Sequence, residues 1–354
     1  MNTWGEKFKL SIFGESHGEG IGIVIDGIPS GTELDMEEIS RCMKRRSPGR
    51  NKMSTPRKEA DDVQILSGFY NGVTTGTPLC AVIMNTNTRS GDYEPQLIRP
   101  GHADYTAVKK YGPCRDFRGG GHFSGRITAP LVFAGAVAKQ ILLGRGITVG
   151  SHIFSIGDAS DTPFDMINLS CDTLIELSKK EFPVIDEDKA EEMKAIIEKK
   201  RLEQNSVGGI VECGVTGVGA GVGSPFFGSV ESRLSSMMFS VPGVKGVEFG
   251  LGFDFAKTDG KTANDEFYTQ DGEIKTYTNN NAGINGGITN GMPIVFRLAF
   301  KPTPSIGMTQ RTVDIDKMEN VEINVKGRHD PCIVHRGAVV AEAATAIAIL
   351  DMIL

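Results

Sequence analysis

Gly72–Thr88 reads GVTTGTPLCAVIMNTNT, and Gly287–Thr303 reads GITNGMPIVFRLAFKPT. Each runs Gly-x-Thr-x-Gly-x-Pro into an apolar, β-branched strand and leaves it through a polar loop. Upstream stand two further matching segments, Gly22–Gly27 (GIVIDG) and Gly209–Gly214 (GIVECG). Each of these is followed by a helical pattern and a Pro-Gly, at Pro48-Gly49 and Pro242-Gly243. Downstream, Arg126 and Arg336 each open an apolar helix. The same order of elements occurs twice, so the chain reads as one domain, 1–354, built from two similar halves, roughly 1–150 and 205–354.

Hydrophobic periodicity fills in the rest. It predicts strands over Lys9–Phe13, Ile21–Asp26, Leu79–Met84, Gly209–Gly214, Pro293–Phe300 and Val321–Val325. It predicts helices over Met36–Arg46, Ala103–Tyr111, Arg126–Leu143, Asp186–Gln204, Val230–Met238 and Arg336–Leu354. Regular strand–helix alternation is missing. Gly217, Gly219, Gly221 and Gly223 alternate, but Ser224-Pro225 follows them before any helix begins, so they are not a dinucleotide-binding turn. The expected class is α+β, a sandwich of β-sheet and helix with an internal duplication.

Composition narrows the function. With 38 Lys+Arg against 44 Asp+Glu the net charge is −6, which argues against a general nucleic-acid binder. The six cysteines are spread widely with no C-x-x-C pair, as expected of reduced thiols in the cytoplasm. The first ten residues lack the apolar core of a signal peptide. The apolar stretch Ala338–Leu354 is interrupted by Glu342 and Asp351, which suits a buried core helix better than a membrane span. Glycine is the outlier: of 44, 28 fall in windows 14–31, 101–125, 208–228, 243–252 and 283–291. Clustered glycine is how a chain brings backbone close to a ligand.

Gly14-Glu15-Ser16-His17-Gly18 has the letters of a nucleophile elbow, but that motif needs a helix after the serine, and Ile21–Asp26 reads as a strand. A serine hydrolase is therefore the weaker reading, and a tight turn exposing Ser16 and His17 remains. Five of six histidines sit beside Gly, Arg or Asp: His17, His102, His122, His329 and His335. None has metal-ligand spacing, so no metal site is expected, and the imidazoles suggest proton transfer or binding of a charged ligand. Arg115, Arg118 and Arg126 flank Gly119-Gly120-Gly121, which leads through Ser124 into a helix N-terminus, a ready anion site. With Arg45 and Arg46 at a helix end and Lys301 and Arg328 in other loops, the chain reads as built for a small polyanion carrying phosphate and carboxylate. A non-catalytic binder of phosphorylated metabolites is the second rival.

Three stretches in order, GESHGEGIGIVIDGIP (14–29), GHFSGRITAPLVFAGAVA (121–138) and RHDPCIVHRGAVVAEAA (328–344), resemble the chorismate synthase family. So do RRSPG (45–49), LSGFYNGVTTGTP (66–78), RPGHADYT (99–106) and KPTPS (301–305), and the resemblance spans the chain. It implies a lyase converting 5-enolpyruvylshikimate 3-phosphate to chorismate by 1,4-anti elimination of phosphate, with reduced FMN, in a homotetramer. It implies catalytic roles for His17, His102, Asp330, Ser16 and Ser124. Flavin contacts are implied for His122, Phe123, Ser124, Pro242, Gly243, Gly286, Lys301, Pro302, Thr303, Pro304, Ser305 and Arg328. Substrate contacts are implied for Arg45, Arg46, Arg126 and Arg336. NADPH enters only as an external reductant, with Arg46 and Lys52 as its contacts. Relatives often carry Arg-Ser in place of His122-Phe123 and Asn-Ala in place of Pro242-Gly243, so contacts there are expected from backbone.

Overall fold

A computed structural model describes residues 2–49, 61–86, 94–325 and 330–354. The first sheet holds β1 (Thr3–Trp4), β2 (Lys9–Gly14), β3 (Gly20–Asp26), β4 (Val63–Ser67) and β7 (Leu79–Met84), in the order β1-β2-β3-β7-β4. A small hairpin, β5 (Phe69–Tyr70) with β6 (Val73–Thr74), precedes β7. The second sheet holds β8 (Thr148–Ile156), β9 (Ala159–Ser160), β10 (Gly209–Thr216), β11 (Val244–Phe249) and β16 (Ile294–Phe300), in the order β11-β16-β10-β8-β9. Three further hairpins lie outside the sheets: β12 (Phe267–Gln270) with β13 (Glu273–Thr276), β14 (Ile284–Asn285) with β15 (Ile288–Thr289), and β17 (Gln310–Asp314) with β18 (Glu319–Ile323).

Helices fill the space between the sheets. α1 (Met36–Arg46) and α2 (Asp104–Tyr111) come first, and α3 (Thr128–Leu143) packs on the first sheet. α4 (Cys171–Lys179) and α5 (Glu187–Leu202) cover the outer side of β8. After α6 (Val230–Ser240) and the short α7 (Gly260–Ala263), α8 (Val334–Ile353) packs on the second sheet and against α3. In α3, 13 of 16 residues are buried, and in α8, 17 of 20, so neither has a face for solvent. Gly125–Leu143 is long and apolar enough to cross a bilayer, but 83% of its most apolar window is inside the protein. The two helices cross at Gly135, where an added Cβ would stand 2.2 Å from Ala343 Cβ. Small residues let the backbones approach, and the crossing joins both sheets into one core.

Local sequence explains the helix ends. Asp35 caps α1, its Oδ1 accepting from Glu37 N at 2.8 Å and Glu38 N at 3.1 Å, and Ile39, Cys42, Met43 and Arg46 form the buried stripe. At the far end of the chain, Asp351 Oδ1 accepts from the backbone N–H groups of Glu6, Lys7 and Phe8 at 2.7–2.8 Å, and its Oδ2 takes Arg233.

The six predicted helices form with small shifts at their ends, and the expected strand at Val321–Val325 sits earlier, at Glu319–Ile323. Periodicity misses β4, β8, β11 and α4. In β8 the reason is visible: Ser151 and His152 are fully buried, so the strand is covered on both faces and shows no alternation.

Candidate active site

The β2–β3 hairpin closes with Gly14 opposite Ile21, and the turn between carries Ser16 and His17. A second strand follows the serine, so the elbow geometry of a serine hydrolase is absent. Contrary to expectation the turn is not exposed: Ser16 is fully buried and His17 nearly so. The loop before α3 covers it. Ser16 N donates to Gly121 O at 3.1 Å, and His122 Nδ1 donates to Gly14 O at 2.8 Å. Asn85, just beyond β7, donates to Glu15 O at 3.0 Å and to Gly18 O at 2.9 Å.

That loop needs its glycines. Gly119, Gly120 and Gly121 have φ of 61°, 91° and 54°, three successive left-handed residues, a run that side chains would strain. A Cβ on Gly119 would stand 2.4 Å from His17 Nε2 and 3.0 Å from Ser16 Oγ. One on Gly120 would stand 3.3 Å from His102 Nε2 and 3.7 Å from Ser124 Cβ. The bare backbone is thus the meeting point of Ser16, His17, His102 and Ser124. Ser124 Oγ accepts from Arg126 N at 3.3 Å, capping the turn that leads into α3.

His102 is held from behind. Its Nδ1 lies 2.7 Å from Asp104 Oδ1, and Arg99 donates to the same carboxylate from Nε at 2.7 Å and from Nη2 at 2.8 Å. Burial works to raise the Asp104 carboxyl, but the hydrogen bonds from Arg99 and His102 hold it well below the usual carboxylate range.

The arginines divide. Asp61 Oδ2 accepts from Arg46 Nη2 at 2.5 Å and from Ser47 Oγ at 2.8 Å, while its Oδ1 accepts from Arg126 Nη1 at 2.5 Å. Arg126 Nε also donates to Asn85 Oδ1, which ties the pair to the Ser16–His17 turn. Arg336 donates to Asp330 Oδ2 at 2.5 Å, and its buried Nε has no partner. Burial is the main force lowering the Arg46 guanidinium; Asp61 opposes it, and the Arg336 and Arg126 charges add to it. Arg46 and Arg126 thus meet at Asp61, and the Arg336 charge is close enough to act on Arg46, so the three guanidinium groups form one cluster. Arg45 is not among them: on the other side of α1, it grips Glu342 through three contacts of 3.1–3.2 Å inside the helical layer. Arg118 is occupied by Asp116 and Arg115 by Pro95 O, so the loop arginines that flank the glycines are committed to their neighbours.

The second half adds a loop beside His102. Lys301 N donates to Gly243 O at 2.9 Å, and Lys301 Nζ donates to Gly101 O. Burial and then the Lys245 charge lower the Lys301 amine, so two cations lie close together here. Thr303 Oγ1 is buried without a partner, Ser305 Oγ accepts from Arg99 Nη1 at 3.4 Å, and Pro304 Cβ would meet a Cβ on Gly101 at 3.5 Å. Pro302 and Pro242 are exposed. Phe123 turns its ring toward Tyr111, with centroids 6.1 Å apart. Gly286 stands apart in the β14–β15 turn, beyond the far end of β16 and roughly 20 Å along that strand from Lys301. Lys52, Arg328 and His329 lie outside the described residues.

Reasoning from sequence missed Asp61, Asn85, Arg99 and Asp104. For Arg99 and Asp104 a signal existed, since both flank His102 in RPGHAD; for Asp61 and Asn85 no local motif marks either residue.

Comparison with known proteins identifies the family. A family model described as chorismate synthase matches residues 8–354. A chorismate synthase of Lachnospira eligens is 45% identical over 99% of this chain and 94% of its own length. One from Methanobrevibacter smithii is 44% identical over 99% and 95%. Among solved structures, a crystal structure of chorismate synthase superposes with a TM-score of 0.77 at 30% identity, covering 99% of this chain and 92% of that one. A loop of bare glycine backbone ringed by two histidines and two serines, in a chain alike from end to end, places this protein in the chorismate synthase family.

Proposed function

We propose that this protein is a lyase that expels phosphate from 5-enolpyruvylshikimate 3-phosphate by 1,4-anti elimination, giving chorismate in the shikimate route to aromatic amino acids. The observation that carries the reading is the convergence of Ser16, His17, His102 and Ser124 on Gly119–Gly121, beside the Arg46–Asp61–Arg126 group. Arg46, Arg126 and Arg336 bind the substrate's phosphate and carboxylates. Of His17 and His102, which meet the same glycine loop, one would hold a proton for the departing phosphate and the other would serve the cofactor side. Asp330, kept in place by Arg336, assists removal of the ring proton. Burial of the turn keeps water away from these charges and strengthens their interactions.

The residues present fit a bound flavin mononucleotide. Ser16 Oγ, Thr303 Oγ1 and Arg336 Nε are buried polar atoms with no partner, and Lys301 with Lys245 suits a phosphate. Reduced FMN, when bound, supplies a transient electron source, which makes loss of a non-acidic C–H and a phosphate feasible without net redox change. NADPH is taken as an external reductant only.

The internal duplication is part of this reading. Each of the two sheets has its two long central strands in the middle of the same connection order, β2-β3-β7-β4 against β8-β10-β16-β11. Thr74 Oγ1 donates to Pro29 O and accepts from Thr32 N; Thr289 Oγ1 donates to Gly219 O and accepts from Val222 N. Such matched bonds at matched positions support a common origin for the halves. Phe226, Phe227 and Phe253, each more than four-fifths exposed, support association with further copies of the chain, taken here to be a homotetramer. A cytoplasmic location is supported by six cysteines that are all free thiols.

The test is release of inorganic phosphate from 5-enolpyruvylshikimate 3-phosphate under anaerobic, FMN-reducing conditions. Folded protein that releases none would overturn the assignment.

A further inference from the structure

We infer that Asp104, locked by Arg99, is a positioning residue that keeps a proton on His102 Nδ1 and leaves Nε2 as the nitrogen that exchanges protons with a ligand. The inference rests on the reading of His102 as a proton donor, but its geometry stands independently. Asp104 takes three hydrogen bonds from Arg99, from the backbone N at 3.0 Å, from Nε at 2.7 Å and from Nη2 at 2.8 Å. A carboxylate so engaged is ionised and can only accept. Its 2.7 Å contact with His102 Nδ1 therefore requires that nitrogen to be the donor. Arg99 Nη2 also approaches Nδ1, at 3.1 Å, because both groups donate to the same oxygen, Asp104 Oδ1.

With Nδ1 engaged, Nε2 points at Gly120, the loop whose preceding residue touches His17. Among the described residues, the charged or titratable groups that face His102 are Arg99 and Asp104 behind it, Lys301 on the Gly101 carbonyl, and His17 beyond Gly119. Arg99 has a second effect. By neutralising Asp104 it lets the carboxylate orient the ring without placing net negative charge beside it. Asp104 touches no substrate; it acts through His102, as a second-layer carboxylate fixes the tautomer of a histidine in other sites.

Solid-state 15N spectra of histidine-labelled protein read the tautomer directly, and subtracting the spectrum of His102→Gln identifies the signal among six histidines. The expected result for neutral His102 is a protonated Nδ1 and a bare Nε2, with the proton moving to Nε2 in Asp104→Asn. In turnover, Asp104→Asn should lower kcat roughly 100- to 1000-fold with KM within about threefold, and shift the alkaline limb of the rate profile to lower pH. Arg99→Gln should shift that limb to higher pH, and Asp104→Glu should recover part of kcat. A wild-type spectrum showing Nε2–H would overturn the inference, as would an Asp104→Asn enzyme with unchanged tautomer and unchanged kcat. If Asp104→Asn fails to fold, Arg99→Gln decides the matter: a limb moved to higher pH supports the inference, and an unmoved or lowered limb overturns it. Full turnover by His102→Gln would instead refute the proton-donor reading while leaving the tautomer measurement valid.

Discussion

The imidazole of His17 lies against the backbone of Gly119, so close that a Cβ on Gly119 would stand 2.4 Å from Nε2. Gly119→Ala must therefore displace His17 or the loop. Because φ at Gly119 is 61°, the alanine also carries a left-handed strain of about 1 kcal/mol. Phosphate release should fall by roughly 100-fold for a displacement of about 1 Å, with only a small loss of stability. A Gly119→Ala enzyme with full turnover and an unshifted Tm would show that the contact has no part in catalysis.

His17→Ala and His102→Ala should each lower turnover by roughly 10²- to 10⁴-fold, the usual range for a positioned proton-transfer group. Affinity for the phosphorylated substrate, measured by calorimetry, should survive the first substitution, since Arg46, Arg126 and Arg336 remain. Loss of binding with retained residual turnover would reverse the roles assigned here.

Asp61 is the shared partner of Arg46 and Arg126, and no other carboxylate among the described residues bonds either one. Asp61→Ala removes the carboxylate that both buried guanidinium groups share, which should destabilise the protein by about 3–5 kcal/mol. Asp61→Asn keeps the shape and should lose less. Urea unfolding of both variants tests this, and near-native stability of Asp61→Ala would mean that the arginines find another partner.

Glu342 gives a prediction for acid. Burial works to raise its carboxyl, but Arg45 and then Lys139 overcome that and hold it at about 2, below the ordinary 4.5. A depressed folded value means that its contribution is fully present above pH 4.5 and is lost as pH falls toward 2. A shift of this size is worth roughly 3 kcal/mol. Acid unfolding of the wild type should show this loss, and Glu342→Gln should lack that part of the pH dependence while being less stable at neutral pH. Identical acid-unfolding slopes in the two proteins would refute the pairing.

At the α3–α8 crossing, Gly135→Ala places a methyl 2.4 Å from Ala343 Cα, which is backbone and cannot turn aside. The helices must separate, and a cost of about 1–3 kcal/mol is expected, seen as a lower urea midpoint. A neutral Gly135→Ala would show that the crossing is looser than its geometry.

Much of this was legible in the sequence, and the remainder has physical reasons. Helix α1 is bounded by Asp35 and striped by its own apolar residues, so local rules define it. Ser16, His17, His102 and Ser124 were each visible as residues of glycine-rich turns, but that the turns meet at Gly119 and Gly120 is a tertiary fact. Arg45 and Arg46 illustrate what was not. Adjacent in sequence, they leave the helix about 100° apart, and only the tertiary surroundings send one to Glu342 and the other to Asp61. His152 looked ordinary, yet it is fully buried with Asp161 and Glu212 on its two nitrogens, both at 2.9 Å. Its partners lie 9 and 60 residues away, and no local pattern reports them.

The middle layer also bears on how the chain is made. Both sheets turn their inner faces toward α3 and α8, and Asp351 near the end of α8 fastens the backbone of Glu6, Lys7 and Phe8. A nascent chain that has produced every strand but not yet α8 has an open apolar interior and an unfastened leading edge. Folding therefore waits on translation, and the growing polypeptide must be shielded from aggregation for most of its time on the ribosome.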